Sequence, residues 1–275
     1  NNIFKLKNLT ANAYTGTVTG SVDYDIAKLK TGIDLVGKDI NVSTAAKAFT
    51  GLIVPTSGKL DGIIKASFTG ATFDAQMRTL AGNTKFTVKN GTMKDFIKFE
   101  NFLYASNILS QNILGFNLNN AISSVGRINT GTFTTMEGYL TFGNSWANIK
   151  EFKTQGQNMS LWADGKYNLL TNYADINILG QISPSVVRTL GPLGDFSLNK
   201  VLEKIPEKGL MVLEIVNSVA PKNPLLTNEK PKNVEKIPAL STGQTDGTKK
   251  FQVVITGNVA STKSVKSFKW INENP

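Results

Sequence analysis

The sequence predicts a mainly β protein, built on a long curved antiparallel sheet with a few helices. Two patterns and the composition predict it. Through residues 131–183, apolar and polar side chains alternate with a period of two. Met159, Leu161, Ala163 and Tyr167 alternate with Ser160, Trp162, Asp164 and Lys166, and Ala174, Ile176, Ile178 and Ile182 with Asp175, Asn177 and Gln181. That period gives each strand one greasy and one wet face. Turn residues punctuate the run at Gly143-Asn144-Ser145, Gln155-Gly156-Gln157 and Thr171-Asn172, as in strands joined up and down. The chain of 275 residues is 40% hydrophobic and 18% charged, and its polar remainder is rich in Asn, Thr, Ser and Gly, a composition of strands and turns.

Residues 1–42 read as strands. Thr and Val stand at sheet spacing from Asn12 to Tyr24, with glycines marking bends, and Ile33, Leu35, Ile40 and Val42 continue the pattern. Ser43 or Thr44 is placed to cap a short helix through Phe49, and 54–58 is a loop. Strands resume over Lys59–Phe73. A short helix is expected over 75–81, ended by Leu80-Ala81-Gly82, then a strand over Thr84–Val88. Lys89-Asn90-Gly91-Thr92 is a turn signal. Phe96, Phe99, Phe102, Leu103, Ile108, Leu109 and Ile113 repeat at helical spacing, so an amphipathic helix over 95–114 is expected, packed at or in the sheet. After the central meander, Pro184 opens a second helical patch, 197–204 is a short amphipathic turn or helix, and Gly209–Val219 is a strand. Residues 220–249 carry Pro221, Pro224, Pro231 and Pro238 among Lys, Asn, Glu and Thr, and read as a surface excursion or linker. Strands over 250–257 and 263–271 close the chain. Residues 1–219 and 250–275 thus form one β domain.

Composition narrows the chemistry. The chain has no Cys and no His, which removes thiolate and imidazole nucleophiles, bases and metal ligands. The net charge is +10, and Arg occurs only at Arg78, Arg127 and Arg188. A Lys-rich, Arg-poor surface suits solubility or loose attraction to an anionic membrane surface, and argues against sequence-reading of nucleic acid. No run of eighteen apolar residues is present to span a bilayer as a helix. Asn1-Asn2-Ile3-Phe4 is neither an initiator Met nor a signal peptide, so the chain reads as a processed or excised piece of something longer. No phosphate-loop, dinucleotide or nucleophile-elbow motif is present, and no catalytic residue, metal or cofactor is expected. Asp23 and Asp25 share a strand face without a third ligand, and Asp61, Asp74, Asp164 and Asp175 are scattered among lysines. A two-carboxylate hydrolase would need two of these acids to meet in the fold. Trp146, Trp162 and Trp270 are either a carbohydrate platform or, more commonly, core-edge packing.

Several stretches together resemble the AsmA-like family of bacterial envelope proteins, to which TamB and YhdP are related. They are Leu60-Asp61-Gly62, the run Leu80 to Thr92, Asp164-Gly165-Lys166-Tyr167-Asn168-Leu169, Asp175 to Ser183, and the closing strand Phe251 to Asn258. The resemblance covers roughly 55–272 and does not account for 220–250. It implies an open, taco-shaped β-groove, a half-barrel with an apolar lining that carries phospholipid between the inner and outer membranes. It also implies a periplasmic, cell-envelope location, with inner-membrane attachment through a segment not in this chain. The partners implied are phospholipid and the membrane surface or other envelope proteins. The alternative is a structural or adhesive β-scaffold of the envelope without ligand.

The residues expected to line the groove are Met159, Leu161 and Ala163, then Ala174, Ile176, Ile178 and Ile182, then Phe251, Val253 and Ile255. Only these parities face hydrocarbon cheaply, because an unpartnered polar group there costs roughly 2–7 kcal/mol. Ser160, Asp164, Asp175 and Asn177 are expected to face water.

Overall fold

The computed structural model describes residues 3–45, 57–93, 131–190, 231–258 and 265–271. These form one open antiparallel sheet of 11 strands whose spatial order is the chain order. The strands are β1 (Ile3–Ala13), β2 (Gly16–Asp25), β3 (Lys30–Asn41), β4 (Lys59–Thr69), β5 (Ala81–Thr92), β6 (Thr132–Gly143), β7 (Trp146–Gln155), β8 (Met159–Asn168), β9 (Tyr173–Ile182), β10 (Lys249–Asn258) and β11 (Val265–Ile271). Among the described residues, β1 pairs only with β2 and β11 only with β10, so the sheet does not close into a barrel. Helix α1 (Phe73–Thr79), helix α2 (Pro184–Leu190) and a 3-10 turn (Val234–Lys236) join the strands, and residues 42–45 are helical as expected after β3.

The expected helix over 95–114, the short helix over 197–204 and the strand Gly209–Val219 lie outside the described residues. Other expectations need correction. The cap before residue 44 is Asn41, whose Oδ1 accepts from the Thr44 N–H at 3.0 Å and from the Ser43 and Thr44 hydroxyls. Helix α1 starts at Phe73 rather than 75, because Thr72 caps the Ala75 N–H, and Ala81 and Gly82 already belong to β5. Lys89 to Thr92 is not a turn. It is the end of β5, with Asn90 alone in a left-handed conformation at φ 50°.

Directly opposed residues of an antiparallel sheet project to the same side, so the register assigns both faces. One face carries Phe4, Leu6 and Leu9 of β1, Val18, Val22 and Tyr24 of β2, Ile33, Leu35 and Ile40 of β3, and Leu60, Ile64 and Phe68 of β4. It continues through Phe86 and Val88 of β5, Met136, Leu140 and Phe142 of β6, and Ile149 and Phe152 of β7. The other face carries Lys5, Asp23, Asp34, Lys65, Lys85, Glu137, Lys153, Lys166 and Asp175 in the same registers.

Holding so long an apolar face in register requires more than alternation. Leu6 and Leu9, Gly37 and Ile40, and Ile149 and Phe152 are each three apart, yet share the face. Between them sit bulges at Lys7/Asn8, Lys38/Asp39 and Lys150/Glu151, where two residues oppose one. The β3 bulge is tied down by Asp61. Its Oδ1 accepts the Asp39 N–H at 2.9 Å, and Lys89 Nζ stands 3.4 Å from Oδ2. These contacts, the Asp39 amide first, hold the Asp61 carboxyl below its ordinary range against the opposing effect of burial. In β2, Gly20 sits at φ 140°, where a Cβ would lie 2.0 Å from the Asp34 carbonyl oxygen. Only glycine allows that bend. Bulges and a glycine kink are the standard means of curving a sheet.

Because connections alternate between strand ends, the three long ones leave the same end. They run from β3 to β4, from β5 to β6 and from β9 to β10. We call this the insertion end. At the far end the connections are short: residues 26–29, 70–80, 144–145 and 169–172. Asn144 and Ser145 both have positive φ, as does the Tyr14–Thr15 turn at the insertion end. That is the mirror-image turn matching strand twist.

Candidate functional site

The apolar face is the one extended chemical feature of the sheet, and its cover is uneven. Over β8–β10 it is sealed. All ten residues expected to line a groove lie on it by register. Met159 opposes Ile182. Phe251 opposes Gly180, which opposes Leu161. Val253 opposes Ile178, which opposes Ala163, and Ile255 opposes Ile176. Ala174 opposes Tyr167 on the same face. Met159, Leu161, Ala163, Ala174, Ile182, Phe251 and Val253 are all buried, and only Ile176, Ile178 and Ile255 are half-buried. The Phe251 ring lies over Gly180, where a Cβ would come within 2.3 Å of it, and meets Trp270 edge to face at 6.2 Å between centroids. Seven of the ten form a core in this structure rather than an open lining, and Ile176, Ile178 and Ile255 stay half-buried beside it. A fully buried Phe, Leu or Ile contributes about 1.5–3 kcal/mol, which is the stronger use of such residues.

Toward the insertion end the same face is also closed. Val88, Phe133 and Met136 are buried together, with Val42, Leu60, Phe86, Met93 and Phe152 against them. Phe86 covers Gly138, and Phe133 covers Gly91. Phe133 and Met136 join one cluster although three apart. The left-handed Asn90 on the neighbouring strand marks where alternation lapses.

Among the described residues, the face is open toward the far end of β1–β4. Phe4 is 59% exposed and Leu6 40%, while Val22, Ile33, Leu35, Ile64 and Phe68 are half-buried. These positions have the same alternation as the central meander. In the sequence they read as strands and carry no site assignment, because period alone does not say which stretch of a face is left uncovered.

The polar face has two apolar islands among the described residues. Val36 and Ile63 oppose each other in the open and are exposed, whereas the other island is strapped. Trp162 and Leu179 oppose each other there. Residues 231–241 run across them, with Val234 and Ile271 in the same buried cluster and Ile237 against it. The strap is bonded at both edges. The Ala239 carbonyl accepts from Gln155 Nε2 and Ser160 Oγ, both at 3.1 Å. The Pro238 carbonyl accepts from Gln181 Nε2 at 2.6 Å, and the Ser241 N–H donates to the Gly156 carbonyl at 2.9 Å. Lys236 Nζ stands 5.0 Å from the centre of the Trp162 ring, whose buried Nε1 has no hydrogen-bond partner among the described residues. This part of the Pro/Lys-rich stretch is therefore a bonded cover, not a linker. Ser160, expected to face water, is fully buried beneath it. Asp175 is exposed. Asp164 and Asn177 are partly buried in a cross-strand ladder, in which Asn177 Nδ2 donates to Asp164 and Gln252 Nε2 donates to Asn177 Oδ1.

Two shallow hollows of about 640 and 550 Å³ lie over β1–β5, lined largely by polar-face residues such as Ser21, Asp23 and Asp34. Their walls are mixed charges and hydroxyls, with Lys65 paired to Asp34 at 3.1 Å. Among the described residues no group of three His, Cys, Asp or Glu stands together to hold a metal ion. The three Trp residues do not form a platform. Trp270 opposes Phe251 on the apolar face, and Trp162 lies on the polar face under the strap. Trp146 stacks edge to face with Tyr173 at the far end, with Lys166 over its ring.

No family model, curated protein or solved structure matches this chain. No helix of the described residues is long and apolar enough to cross a membrane.

Proposed function

We propose that the chain is a lipid-binding and lipid-conducting segment of an AsmA-like envelope protein, carrying phospholipid acyl chains along the apolar face between the inner and outer membranes. The observation that carries this reading is the continuous apolar face, sealed over β8–β10 and half open over β1–β4. An apolar surface left open beside a well-packed core is a binding surface by default. Acyl chain laid against it gains about 0.8 kcal/mol per CH₂. Strands of ten residues present about 33 Å of such surface, comparable to one leaflet's lipid. No specific polar contact and no catalytic group is needed, so the reading is non-enzymatic.

Organic extraction and native mass spectrometry of the purified protein test it. Phospholipid is expected to co-purify, and Leu35→Asp is expected to remove most of it while the circular dichroism spectrum stays unchanged. Protein that is lipid-free as isolated and takes up no fluorescent phospholipid would sink the reading. It would favour the alternative of a ligand-free envelope scaffold, toward which the sealed β8–β10 core points.

A further inference from the structure

The four most exposed large apolar side chains among the described residues are Phe73, Phe4, Ile26 and Ile3, at 64, 59, 57 and 45%. All four come from one corner, where β1–β4 meet the far end. Phe4 opposes Tyr24 and Ile3 opposes Asp25, which places both beside the β2–β3 turn bearing Ile26 and Leu29. That turn is bonded to the next connection, because the Gly70 N–H donates to the Leu29 carbonyl at 3.0 Å. Helix α1 follows at once and begins with Phe73.

The exposure of Phe73 is built, not frayed. Thr79 Oγ1 accepts from the Thr69 N–H at 2.8 Å and donates to the Thr69 carbonyl at 2.6 Å. Gln76 Nε2 donates to the Gly70 carbonyl, and Thr72 caps the helix. A Cβ on Gly70 would meet Ala75 Cβ at 2.4 Å, so the helix is folded tightly back on β4. Four clips on a seven-residue helix hold a phenylalanine outward.

Around these tips cations outnumber carboxylates by a small margin, the exposed Asp23 being opposed by the exposed Lys5. Lys28, Lys30 and Arg78 are exposed, against Asp74 and against Asp25, which faces Lys28 at 3.9 Å. The whole chain carries +10. Apolar tips with exposed cations in the same segments fit a bilayer interface with anionic headgroups, where the tips enter the acyl boundary and each cation gains from the surface potential.

We infer that this corner is a membrane-docking tip, and that the surface it docks on is an anionic phospholipid bilayer. The inference deepens the lipid-carrying reading. The same corner is where the open apolar face ends, so docking there sets Phe4 and the half-open β1–β4 face against the bilayer from which lipid enters or leaves.

Vesicle sedimentation tests it, using phosphatidylcholine with and without phosphatidylglycerol. The wild-type chain is expected to pellet with the anionic vesicles and to be released by salt. Phe73→Ser and Ile26→Ser are each expected to weaken binding about tenfold, since each removes one inserted side chain. Lys28→Glu with Arg78→Glu is expected to abolish the preference for anionic vesicles. All four residues are exposed, and unchanged thermal melting would confirm intact folding. Equal pelleting by wild type and Phe73→Ser overturns the inference. So does a wild-type chain that ignores both vesicles, or one whose Phe73-dependent partner in sedimentation velocity is a second copy. Co-purifying lipid separates the two ideas. Phe73→Ser protein that keeps its lipid but loses vesicle binding supports both. Wild-type protein that docks but carries no lipid defeats the groove and leaves the tip standing.

Discussion

Strands β1–β4 and strands β8–β10 have the same pattern and different fates. Both alternate, both belong to one sheet, and both present aliphatic side chains to the same face. In the second region Leu161, Ile182 and Phe251 are sealed, while in the first Leu6 is open and Leu35 and Ile64 are half open. Alternation therefore specifies a face, and a cover decides whether that face becomes a core or a surface for something else. The connections add an asymmetry along the strands. Near the insertion end Ile40, Val88, Phe133 and Met136 are buried, whereas the far end carries the exposed Ile26 and Phe73.

The contrast breaks most sharply under a charge. Phe251→Asp places a carboxylate without a partner in the sealed region, and is expected to cost about 4 kcal/mol or more and unfold the domain in a urea titration. Ile178→Asp is expected to follow it, since the opposed Ala163 and Val253 are buried. Gly20→Ala comes next. It sets a Cβ 2.0 Å from the Asp34 carbonyl oxygen at φ 140°, and a loss of about 3 kcal/mol is expected from strain and clash. On the polar face, Leu240→Ala in the strap should cost about 2–3 kcal/mol as a buried cavity. It should also shift Trp162 fluorescence to the red as the strap loosens.

Ile64→Asp, in the open region, should cost only about 1 kcal/mol because the opposed Leu35 and Thr84 are themselves half-buried, unlike the buried neighbours of Ile178, yet should reduce lipid uptake. If Ile64→Asp unfolds the protein as Phe251→Asp does, the two regions are not different in kind. The smallest effect concerns pH. The Asp61 carboxyl is held below its ordinary range, so its stabilisation is present above the unfolded value and is lost as pH falls through the lowered one. The group is partly exposed and screened, so the acid loss that Asp61→Asn removes should be less than about 1 kcal/mol in melting curves below pH 4.

Period and turn chemistry made the sheet legible before any coordinates. The paired registers of β8, β9 and β10 put Met159, Ile178 and Val253 on the face their parity indicates. The bulges were not legible. At Lys7-Asn8 and Lys38-Asp39 the bulge rests on a left-handed Asn8 and Asp39, at φ 54° and 53°, and at Asp39 also on Asp61 of the opposite strand, none of which alternation alone reveals. The Tyr14–Thr15 turn escaped notice for a related reason. Its left-handed residues are not the Asn-Gly that announces such turns, and the tertiary register imposes the conformation. Ser160 was misplaced because its burial depends on Ala239, distant in sequence, and composition marked the strap residues as polar. The open site needed the same missing information, namely which stretch of an alternating face the other described residues leave uncovered.

The identity of chain order and spatial order has a consequence for size. Each strand finds its partner in a neighbour along the chain, so no early strand waits for a late one, and pairing can proceed in the direction of synthesis or export. Such an array works as a ruler. Two strands add about 10 Å of width at about 4.8 Å each, and a whole hairpin inserted anywhere leaves every later strand running in its former direction. The long connections would still emerge at one end and the docking corner at the other. A single inserted strand would send every later connection to the opposite end. Length in this architecture is therefore free to change by pairs of strands, and resists change by one.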